Sequence, residues 1–497
     1  MRPFNSPSLS LADLAQTCSA ESSISTDDLA KILITGVTHN DGDVLPGDLF
    51  IALPGARRHG AEFAESARQR GAIAVLTDSS GAKLIKELPT LVVSNPRLVA
   101  GRVAARIYSE PMRDLSCIAI TGTNGKTTVT TLLHQIFEAA HRDCGLIGTI
   151  ETRIGIEVIA SKHTTPEATD LQALSAVMRE RHMRHVVIEA SSHALALHRL
   201  EGAHFAIAGF TNLTQDHLDF HGDMESYFAA KASLFDFAMA DLACINIDDK
   251  YGSKLAEVTE LPVITISRSN QKANWHFIEI AAESKRTHLK IRGSGGILIE
   301  TSTTIRGGYN FDNLLMAIAI AVESGVDPID IAAIIPHVSG AAGRLEEISV
   351  GQNFTAIVDY AHTPDAVSSV LKSIREFTSG RVIAVLGCGG DRDATKRPMM
   401  GKAVSDNADI AIFTSDNPRS EDPEMILQAM TKGLTIKEPS QIISDRAAAI
   451  AYAISLATGK DTVAVLGKGH ELGQEINGIK LDFDDRLILA RAIEAKR

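Results

Sequence analysis

The chain has 497 residues, of which 44% are hydrophobic and 22% are charged, and its formal net charge at pH 7 is −12. This length favours about three domains, each large enough to bury a hydrophobic core of its own. The negative charge, with no basic run to offset it, argues against a nucleic-acid-binding protein, because contacts to phosphates require clustered Lys and Arg.

Signals for membranes and secretion are not visible in the sequence. No apolar run reaches the roughly 18 residues that a membrane span requires, and the first residues lack the charged and apolar regions of a signal peptide. The five cysteines are Cys18, Cys117, Cys144, Cys244 and Cys388, and they form no Cys-x-x-Cys pair. Three of them lie in or next to apolar runs, so the sequence predicts buried thiols and a cytoplasmic enzyme.

Residues 1–112 alternate short apolar runs with polar turns. Strands are predicted at 48–53, 71–77 and 88–93, and helices at 61–70 and 96–108. This pattern predicts a small α/β domain, and the polar segment that follows it, with Pro111, is predicted to be a hinge.

Residues 113–342 are predicted to contain a mainly parallel sheet. Strands are predicted at 117–121, 144–149, 184–189, 205–211 and 242–247, and helices at 129–137, 170–183, 224–238 and 314–323. Apolar runs that alternate with helices are typical of a parallel sheet buried on both faces. The segment 275–304 alternates polar and apolar residues, which favours an antiparallel edge or flap.

Residues 343–497 show the same alternation of apolar runs and helical stretches. Strands are predicted at 355–359, 381–386, 410–414, 441–443 and 462–466. Ligands bind beyond the carboxyl ends of the strands in such sheets, so functional residues are expected at 359–365, 387–393, 415–423 and 467–475. The predicted fold class is therefore α/β with three domains: a small N-terminal α/β domain, a central P-loop-type ATPase domain with a mainly parallel sheet, and a Rossmann-like C-terminal domain.

A glycine-rich turn between a strand and a helix predicts a phosphate-binding loop at Gly122-Thr-Asn-Gly-Lys-Thr-Thr128. Backbone N–H groups and the positive end of the helix dipole point into such a turn. Lys126 supplies a charge for phosphate oxygens, and Thr127 a hydroxyl for Mg²⁺. The common P-loop spacing would need glycine at Ile120, and the alternative is a tight turn with a surface lysine.

Glu189 ends a predicted strand, where a carboxylate reaches a metal ion beside bound phosphates, although such a residue is often only a helix cap. Eight histidines lie between His163 and His221. A zinc site is not favoured, because the segment has no His-Glu-x-x-His pattern and no cysteine. His217 is the better candidate ligand, since it follows a strand of the nucleotide-binding sheet.

Lys231 is the only charged residue in the apolar helical stretch 227–235. Composition alone favours a lysine whose ammonium group reaches the surface. The alternative is a buried lysine, whose pKa is lowered and whose neutral amine can react with CO₂.

Charged residues also cluster at the strand-end loops of the third unit, namely Arg392, Asp416, Asn417, Arg419 and Glu471. Arginine gives planar, bidentate recognition of carboxylates, whereas Asp and Glu pair with ammonium groups. The set suits a zwitterionic amino acid, and the alternative is a solvated surface cluster.

Taken together, these motifs resemble the Mur ligase family, the ATP-dependent amide-forming enzymes of peptidoglycan precursor synthesis. The resemblance covers nearly the whole chain and rests on Thr121–Thr128, Glu189–His193, Thr211–Asp219, Gly308–Asn310, Gly343-Arg344 and Asp359–Asp365. Three motifs resemble the member that adds the third amino acid of the peptide: His163–Pro166, Gly389–Asp393 and Gly467–Glu471. Asp416-Asn-Pro-Arg419 resembles the motif of enzymes that select meso-diaminopimelate.

The resemblance implies a reaction and its partners. ATP would phosphorylate the D-glutamate carboxylate of UDP-N-acetylmuramoyl-L-alanyl-D-glutamate, and meso-diaminopimelate would attack the acyl phosphate, with Mg²⁺ as cofactor. A monomer without nucleic-acid or membrane partners is expected. The alternatives are a lysine-adding sibling, a folylpolyglutamate synthase-like ligase, and a nucleotide-switch protein without ligase activity.

The resemblance also implies roles for individual residues. ATP would contact Gly122, Thr123, Asn124, Gly125, Lys126, Thr127, Thr128, Asn310, Arg344 and Asp359. One Mg²⁺ would bind Thr127 and Glu189, and a second would bind His217 and a carbamylated Lys231; Lys126, His217 and Lys231 are the expected catalytic residues. The UDP-muramoyl-dipeptide would contact Asp41, Thr164, Thr165, Ser191 and Arg199. Diaminopimelate would contact Arg392, Asp416, Asn417, Pro418, Arg419, Gly467 and Glu471.

Two positions depart from the family pattern. The first unit has Asn40-Asp-Gly42 where the family often has Asp-Ser-Arg, which puts the uridine contacts there in doubt. Leu197 stands where many relatives have glutamine, which removes one expected polar contact to the substrate.

Overall fold

The computed structural model describes residues 1–5, 7–55, 57–283 and 286–496. Within these ranges the strands form three larger sheets, one in each third of the chain, and each sheet is covered by helices. None of the described helices is both long and apolar enough to cross a membrane.

The N-terminal unit is built on a five-stranded sheet. Its strands are β1 (Leu9–Ser10), β2 (Glu21–Ser22), β3 (Leu33–Ile34), β4 (Gly36–Thr38), β5 (Asp48–Ile51), β6 (Ala74–Thr77) and β7 (Thr90–Val92). Its helices are α1 (Leu11–Cys18), α2 (Thr26–Leu29), α3 (Ala64–Gln69), α4 (Ser79–Ala82) and α5 (Pro96–Ile107). The order is β2-β7-β6-β5-β4, in which β4 to β7 are parallel, whereas β1 and β3 pair separately.

The apolar strands of this unit are continuous because both faces of the sheet are covered. In β5, Leu49 and Ile51 pack in the core that contains α1 and α5. Phe50, between them, packs on the opposite face against α3.

The central unit is built on an eleven-stranded sheet. Its strands are β8 (Ser116–Thr121), β9 (Cys144–Ile147), β10 (Glu151–Ile154), β11 (Glu157–Ala160), β12 (His185–Glu189), β13 (Phe205–Phe210), β14 (Ala240–Asn246), β15 (Val263–Ser267), β16 (Trp275–Ala282), β17 (Thr287–Arg292) and β18 (Leu298–Thr303). Its helices are α6 (Lys126–Ala139), α7 (Ala168–Glu180), α8 (Ser192–Ala196), α9 (Leu218–His221), α10 (Met224–Ala232), α11 (Lys250–Val258), α12 (Gly308–Glu323) and α13 (Pro328–Ile334).

The sheet order is β11-β10-β9-β12-β8-β13-β14-β15-β16-β17-β18. The seven strands from β9 to β16 in this order are parallel, and antiparallel strands extend both edges. The predicted antiparallel edge at 275–304 is therefore confirmed in β17 and β18. Ile118 and Ile120 of β8 pack on one face, and Cys117 and Ala119 on the other.

The C-terminal unit has a six-stranded sheet in the order β19-β20-β24-β21-β22-β23. Its strands are β19 (Glu346–Glu347), β20 (Thr355–Asp359), β21 (Val382–Cys388), β22 (Ile410–Ser415), β23 (Gln441–Ile442) and β24 (Thr462–Leu466), with a hairpin of β25 (Gly473–Ile476) and β26 (Ile479–Asp482). Its helices are α14 (Pro364–Phe377), α15 (Lys396–Asn407), α16 (Pro423–Thr431), α17 (Arg446–Leu456) and α18 (Asp485–Lys496). All strands of the sheet except β19 are parallel.

Two predicted helices each have one boundary six residues away from the observed one. The helix predicted at 224–238 ends at Ala232, because the chain turns there so that Leu234 and Phe235 are both buried in the core. The helix predicted at 314–323 begins six residues earlier, at Gly308, and covers one face of the central sheet.

A fully buried ion pair supports the C-terminal sheet. Arg446 at the start of α17 and Asp485 at the start of α18 are both 0% exposed in their side chains and form two hydrogen bonds, of 2.8 and 2.7 Å. The guanidinium group also donates to the carbonyl oxygens of Ser415 at 3.2 Å and Leu466 at 2.9 Å, the last residues of β22 and β24. The pair therefore joins two helices to two strand ends.

We expect Asp485→Ala to lower the free energy of unfolding of this unit by about 3–5 kcal/mol, because it leaves a buried guanidinium without its counter-charge. Calorimetry of the full chain measures the effect. The double variant Arg446→Met/Asp485→Leu removes both charges and is expected to cost less than Asp485→Ala alone. Equal losses in the two variants would contradict this account.

Candidate active site

A cleft of about 550 Å³ opens between the central sheet and the C-terminal unit. The central side is formed by the loop after β8, the ends of β12 and β13, and helix α12, and the C-terminal side by Arg344 and the loop after β20. The carboxyl ends of parallel strands meet at one edge of a sheet, where ligands bind. The cleft therefore gathers side chains from loops that lie far apart in the sequence.

The loop between β8 and α6 fits closely against its neighbours. The Thr211 hydroxyl donates to the carbonyl oxygen of Asn124 at 2.5 Å. Gly122 has φ +148°, and a Cβ there would lie 1.9 Å from Thr211 Oγ1; a Cβ at Gly125 would lie 2.3 Å from Asn313 Oδ1. Both positions therefore require glycine, and the loop leads directly into the N-terminus of α6, where a phosphate is stabilised.

Lys126 is the first residue of α6, and its side chain folds back over the loop. Its ammonium group donates to the carbonyl oxygens of Gly122 at 2.8 Å and Thr123 at 3.0 Å. Burial lowers the pKa of Lys126, and the carboxylate of Glu189 opposes that effect. The side chain lines the cleft, so the alternative of a surface lysine is wrong.

Glu189, the last residue of β12, is buried at the wall of the cleft. Its carboxylate accepts hydrogen bonds from the hydroxyls of Thr127 and Thr149, both at 2.9 Å, and from the Thr149 N–H at 2.8 Å. In nucleotide sites, Mg²⁺ takes one or two hard protein oxygens together with phosphate and water. The hydroxyl of Thr127 and the carboxylate of Glu189 fit that requirement.

Lys231 lies in α10 and is only 1% exposed, so the surface-reaching ammonium that composition favours is wrong. Its ammonium group donates to the carbonyl oxygen of Gly122 at 2.8 Å and lies 4.8 Å from the centre of the Tyr227 ring. Burial and the nearby charge of Lys126 hold the pKa of Lys231 well below its ordinary value. The lowered pKa increases the fraction of Lys231 that carries a neutral amine at a given pH.

His217 follows β13 and lines the same cleft. Its ring packs edge-on against His193, with centroids 4.7 Å apart, and its Nε2 lies 3.4 Å from a carboxylate oxygen of Asp216. Burial lowers the pKa of His217 to about 4, so the ring is neutral at pH 7. A neutral imidazole has a lone pair for a metal ion.

Arg344 and Asp359 form the opposite wall. The Arg344 guanidinium lies 4.6 Å from the centre of the Tyr360 ring. The carboxylate of Asp359 accepts hydrogen bonds from the N–H groups of Leu345 and Ala361, both at 2.7 Å. Burial raises the pKa of Asp359, and Arg344 opposes this. Asp359 thereby fixes the backbone that presents Arg344.

Asn310 lies below the cleft wall. Its side chain donates to the carbonyl oxygen of Arg306 at 3.0 Å and accepts from Asn313 at 3.4 Å. Among the described residues, α12 contributes Tyr309 and Asn313 to the wall instead. Sequence reasoning missed both, although their spacing of four residues places them on one helix face. The ATP contact of Asn310 stays a prediction.

Other cleft residues were given no role of their own from the sequence: Thr149, His193, Asn212, Thr214, Asp216, Tyr360 and His362. Most of them lie within the matching motifs, and their hydrogen-bonding side chains at strand ends were the available signal. These residues come together in space because of the order of the strands in the sheet. The sequence around each residue does not specify that order.

The side chains predicted to bind the dipeptide line the same cleft: Thr164, Thr165, Ser191 and Arg199. The Thr165 hydroxyl donates to the carbonyl oxygen of Glu189 at 2.6 Å. Arg199 pairs with the carboxylate of Glu167 at 3.0 Å, and Glu167 also pairs with Arg97 of α5 at 3.2 Å. Glu167 therefore links this part of the cleft to the N-terminal unit.

Asp41 lies apart from these residues. Its carboxylate accepts a hydrogen bond from the Ser66 hydroxyl at 2.7 Å, within the N-terminal unit, and among the described residues it does not line the cleft. Its contact to the UDP moiety stays a prediction. Leu197, in contrast, lines the cleft beside Arg199.

The residues predicted to bind an amino acid come together at the carboxyl edge of the C-terminal sheet. Asn417, after β22, donates to Glu471 Oε2, after β24, at 2.8 Å. Arg419 has φ +54°, and its guanidinium donates to the carbonyl oxygen of Gly390 at 2.6 Å. Burial raises the pKa of Asp416, and the cations Arg446 and Lys468 oppose this.

Three other predicted residues complete this pocket. Gly467 has φ +109°, and a Cβ there would lie 2.7 Å from the Asp416 carboxylate. A Cβ at Gly390 would lie 1.9 Å from the carbonyl oxygen of Pro418. Arg392 is exposed on the loop after β21. The pocket therefore carries both guanidinium and carboxylate groups, as a zwitterionic ligand requires.

Two contacts connect the pocket to the cleft. The Tyr360 ring lines the cleft and packs on the ring of His470, with centroids 5.0 Å apart, next to Glu471. The ammonium group of Lys396 pairs with the Asp216 carboxylate at 3.0 Å across the two units. These two contacts join the carboxyl edge of the C-terminal sheet, which carries the predicted amino-acid-binding residues, to the cleft that contains the loop after β8.

Comparison with protein families gives three matches in order along the chain. Residues 33–114 match "Mur ligase family, catalytic domain", residues 120–321 match "Mur ligase middle domain", and residues 343–469 match "Mur ligase, glutamate ligase domain". A protein of Streptomyces coelicolor named UDP-N-acetylmuramoyl-L-alanyl-D-glutamate–2,6-diaminopimelate ligase is 49% identical over 469 residues, covering 93% of this chain and 92% of that protein.

Solved structures agree with these matches. A structure of a UDP-N-acetylmuramoyl-L-alanyl-D-glutamate–2,6-diaminopimelate ligase aligns with a TM-score of 0.70 and 32% identity, covering 98% of this chain and 99% of that one. MurF of Acinetobacter baumannii shares the fold, with a TM-score of 0.66 at 17% identity over 93% of this chain and 96% of that one. The three matched family models, and a relative that is 49% identical over 93% of the chain, show that this chain belongs to the Mur ligase family.

Proposed function

We propose that this chain joins meso-diaminopimelate to the D-glutamate γ-carboxylate of UDP-N-acetylmuramoyl-L-alanyl-D-glutamate, with ATP converted to ADP and phosphate, in peptidoglycan precursor synthesis. The observation that carries this proposal is that the cleft with the loop after β8 is joined by the Tyr360–His470 ring contact and the Asp216–Lys396 ion pair to the sheet edge that carries Asp416, Asn417, Arg419 and Glu471. Relatives named as this ligase, which cover more than nine-tenths of the chain, support it.

The chemistry needs an activated carboxylate, because a carboxylate anion is a poor electrophile. A carboxylate oxygen attacks the γ-phosphorus of ATP, the bond to ADP breaks, and an acyl phosphate forms. The amine lone pair of diaminopimelate then attacks the acyl carbon, and the tetrahedral intermediate loses an N–H proton to solvent and releases inorganic phosphate, which leaves the amide. Lys126 is positioned at the loop to offset negative charge on the transferred phosphoryl group.

Magnesium would bind at two places in this arrangement. The Thr127 hydroxyl and the Glu189 carboxylate would hold one ion, and His217 and a carbamylated Lys231 would hold the second. When bound, the ions supply positive charge that stabilises the phosphoryl group in transfer. Carbamylation would convert the buried cation Lys231 into an anion and remove its repulsion with Lys126.

Selection of the amino acid would depend on its second carboxylate. Arg419 and Arg392 would pair with carboxylates of diaminopimelate, and Asp416 and Glu471 with its ammonium groups. Lysine lacks the distal carboxylate, so Arg419 would discriminate against it. The attacking amine must arrive neutral.

Each unit would bind one substrate. Residues 1–112 would hold the UDP moiety, 113–342 ATP and the dipeptide end, and 343–497 diaminopimelate. The link Arg97–Glu167–Arg199 and the ion pair Asp216–Lys396 join these units at the cleft. We expect a monomer that acts in the cytoplasm, where ATP is present.

The test of this proposal is a phosphate-release assay with ATP, Mg²⁺ and the UDP-muramoyl-dipeptide, in which meso-diaminopimelate and L-lysine are compared side by side. Phosphate release with diaminopimelate, together with formation of the tripeptide product, is expected. Release with L-lysine alone would favour the sibling enzyme, and no stimulation by either amino acid would reject the ligase activity.

We expect Lys126→Ala to lower kcat by on the order of a hundred- to a thousandfold, because a cation that stabilises the transition state is removed. Phosphate release at saturating substrates measures the effect. Lys402→Met is the matched control, since Lys402 is exposed and pairs only locally with Asp406. A Lys126→Ala variant with the activity of the control would exclude the assigned role.

We expect Arg419→Gln to raise KM for diaminopimelate by about ten- to a hundredfold, since a charged hydrogen bond is lost. KM for ATP is expected to change by less than about twofold, because the loop after β8 is unaffected. Arg292→Gln, at an exposed position of β17, is the control. Equal increases in both KM values would show that Arg419 does not recognise the amino acid.

We expect ¹³C-labelled bicarbonate to give a carbamate resonance in the wild-type protein that is absent in Lys231→Ala. The lowered pKa of Lys231 leaves more neutral amine at a given pH, so the resonance should persist at lower pH than for an exposed lysine. Lys254→Ala, which removes an exposed lysine near the same helix, should keep the resonance. A resonance that survives in Lys231→Ala would assign the carbamate elsewhere.

A further inference from the structure

We propose that Lys468 is a positioning residue of the amino-acid pocket, whose buried ammonium group holds Asn417 and Glu471 in the orientation that receives diaminopimelate. This inference rests on the proposed function. Lys468 lies in the loop after β24, beside Gly467, and none of the roles assigned above uses it.

The ammonium group of Lys468 is fully enclosed by the protein. The residue is 0% exposed, and Nζ donates to Asn417 Oδ1 at 3.2 Å, Glu471 Oε2 at 3.0 Å and the carbonyl oxygen of Gly473 at 2.6 Å. An ammonium group has three donors, and here all three have protein acceptors. Lys468 therefore acts on a substrate through its neighbours.

These contacts decide which way the Asn417 amide points. Its oxygen accepts from Lys468 and from the N–H of Glu475 at 3.0 Å. Its nitrogen is consequently turned towards Glu471 Oε2, to which it donates at 2.8 Å. Without Lys468, the amide oxygen loses one of its two donors and the orientation is no longer enforced.

The same contacts orient the carboxylate of Glu471. Among the described residues, both hydrogen bonds to this side chain engage Oε2, which leaves Oε1 for an ammonium group of a ligand. Burial raises the pKa of Glu471, but Lys468 and Asn417 outweigh this, and the net pKa is lowered. Glu471 therefore stays anionic in a pocket that also contains the buried Asp416.

A lysine that merely stabilised the fold would also make buried hydrogen bonds, so the two roles need separate measurements. The loss of a structural lysine lowers thermal stability and affects all substrates alike. The loss of a positioning lysine changes KM for the substrate whose pocket it organises, while KM for ATP and for the dipeptide substrate stays constant.

The chain offers a matched control at the other end of the same strand. Asp461, just before β24, is 3% exposed and pairs with Arg381 at 2.7 Å. Asp461→Asn weakens a buried interaction of the same unit but lies at the amino edge of the sheet, away from the pocket. It is expected to lower the melting temperature and leave KM for diaminopimelate unchanged.

The experiment measures KM for diaminopimelate, ATP and the dipeptide substrate in the wild-type chain, Lys468→Met and Asp461→Asn. We expect KM for diaminopimelate to rise on the order of ten- to a hundredfold in Lys468→Met, since a charged hydrogen-bond network is lost. The other two KM values should change by less than about twofold. An unchanged KM for diaminopimelate, or an equal rise for all three substrates, would overturn the inference.

If Lys468→Met does not fold, the double variant Lys468→Met/Glu471→Gln replaces it, because neutralising both partners avoids an unpaired buried charge. It is compared with Glu471→Gln alone. A further rise in KM for diaminopimelate in the double variant supports the inference, since Asn417 has lost its donor, and equal values overturn it. Absence of wild-type turnover rejects the proposed function, and with it this inference, whereas wild-type turnover with unchanged KM in the Lys468 variants rejects the inference alone.

Discussion

The carbonyl oxygen of Gly122 accepts hydrogen bonds from two lysine ammonium groups, those of Lys126 and Lys231, each at 2.8 Å. Two ammonium groups on one acceptor repel each other, and the charge of Lys126 adds to burial in lowering the pKa of Lys231. An anion bound in the loop would relieve this strain, and so would conversion of one amine to an anionic group. The proposed binding of phosphate in this cleft would therefore follow from a charge arrangement that is unfavourable without an anion.

The C-terminal unit also has cationic side chains that donate hydrogen bonds to backbone carbonyl oxygens. Arg446 is a buried cation that donates to the carbonyl oxygens at the ends of β22 and β24, and Lys468 is a buried cation that donates to the carbonyl oxygen of Gly473 at the start of β25. The central unit holds its lysines on a carbonyl after β8. In both units, cations that donate to loop carbonyl oxygens fix the backbone of loops on which the proposed ligand-binding groups lie.

Much of the fold followed from the sequence because parallel strands buried on both faces are continuous apolar runs. Strands β20 and β24 lie where predicted, and the loops after them carry the predicted residues. The helix predicted at 224–238 was too long, because tertiary burial of Leu234 and Phe235 overrides local helical spacing. The resemblance to a family supplied expected roles that spacing alone left open, such as that of Lys231.

The remainder of the site depends on contacts through space. A lysine in an apolar helix can reach the solvent, or it can donate to a neighbouring loop as Lys231 does. Hydropathy is the same in both cases and cannot distinguish them. Tyr309 and Asn313 replace Asn310 at the cleft wall because of the rotation of α12, which is set by packing against α6. The hydrogen bond from Lys468 to Asn417 joins residues 51 positions apart in the chain, and no local sequence pattern predicts such a pairing.

The ion pair between Asp216 and Lys396 bears on the design of inhibitors. It spans two units at the edge of the cleft, and the Lys396 side chain is 31% exposed, so a small molecule can reach it. A compound that paired with Lys396 would compete with the protein's own Asp216 and not with ATP at the phosphate loop. Loops that bind nucleotide phosphates recur in many unrelated proteins. A ligand that bound at the Asp216–Lys396 contact would be more selective, because that contact depends on how the central and C-terminal units pack together.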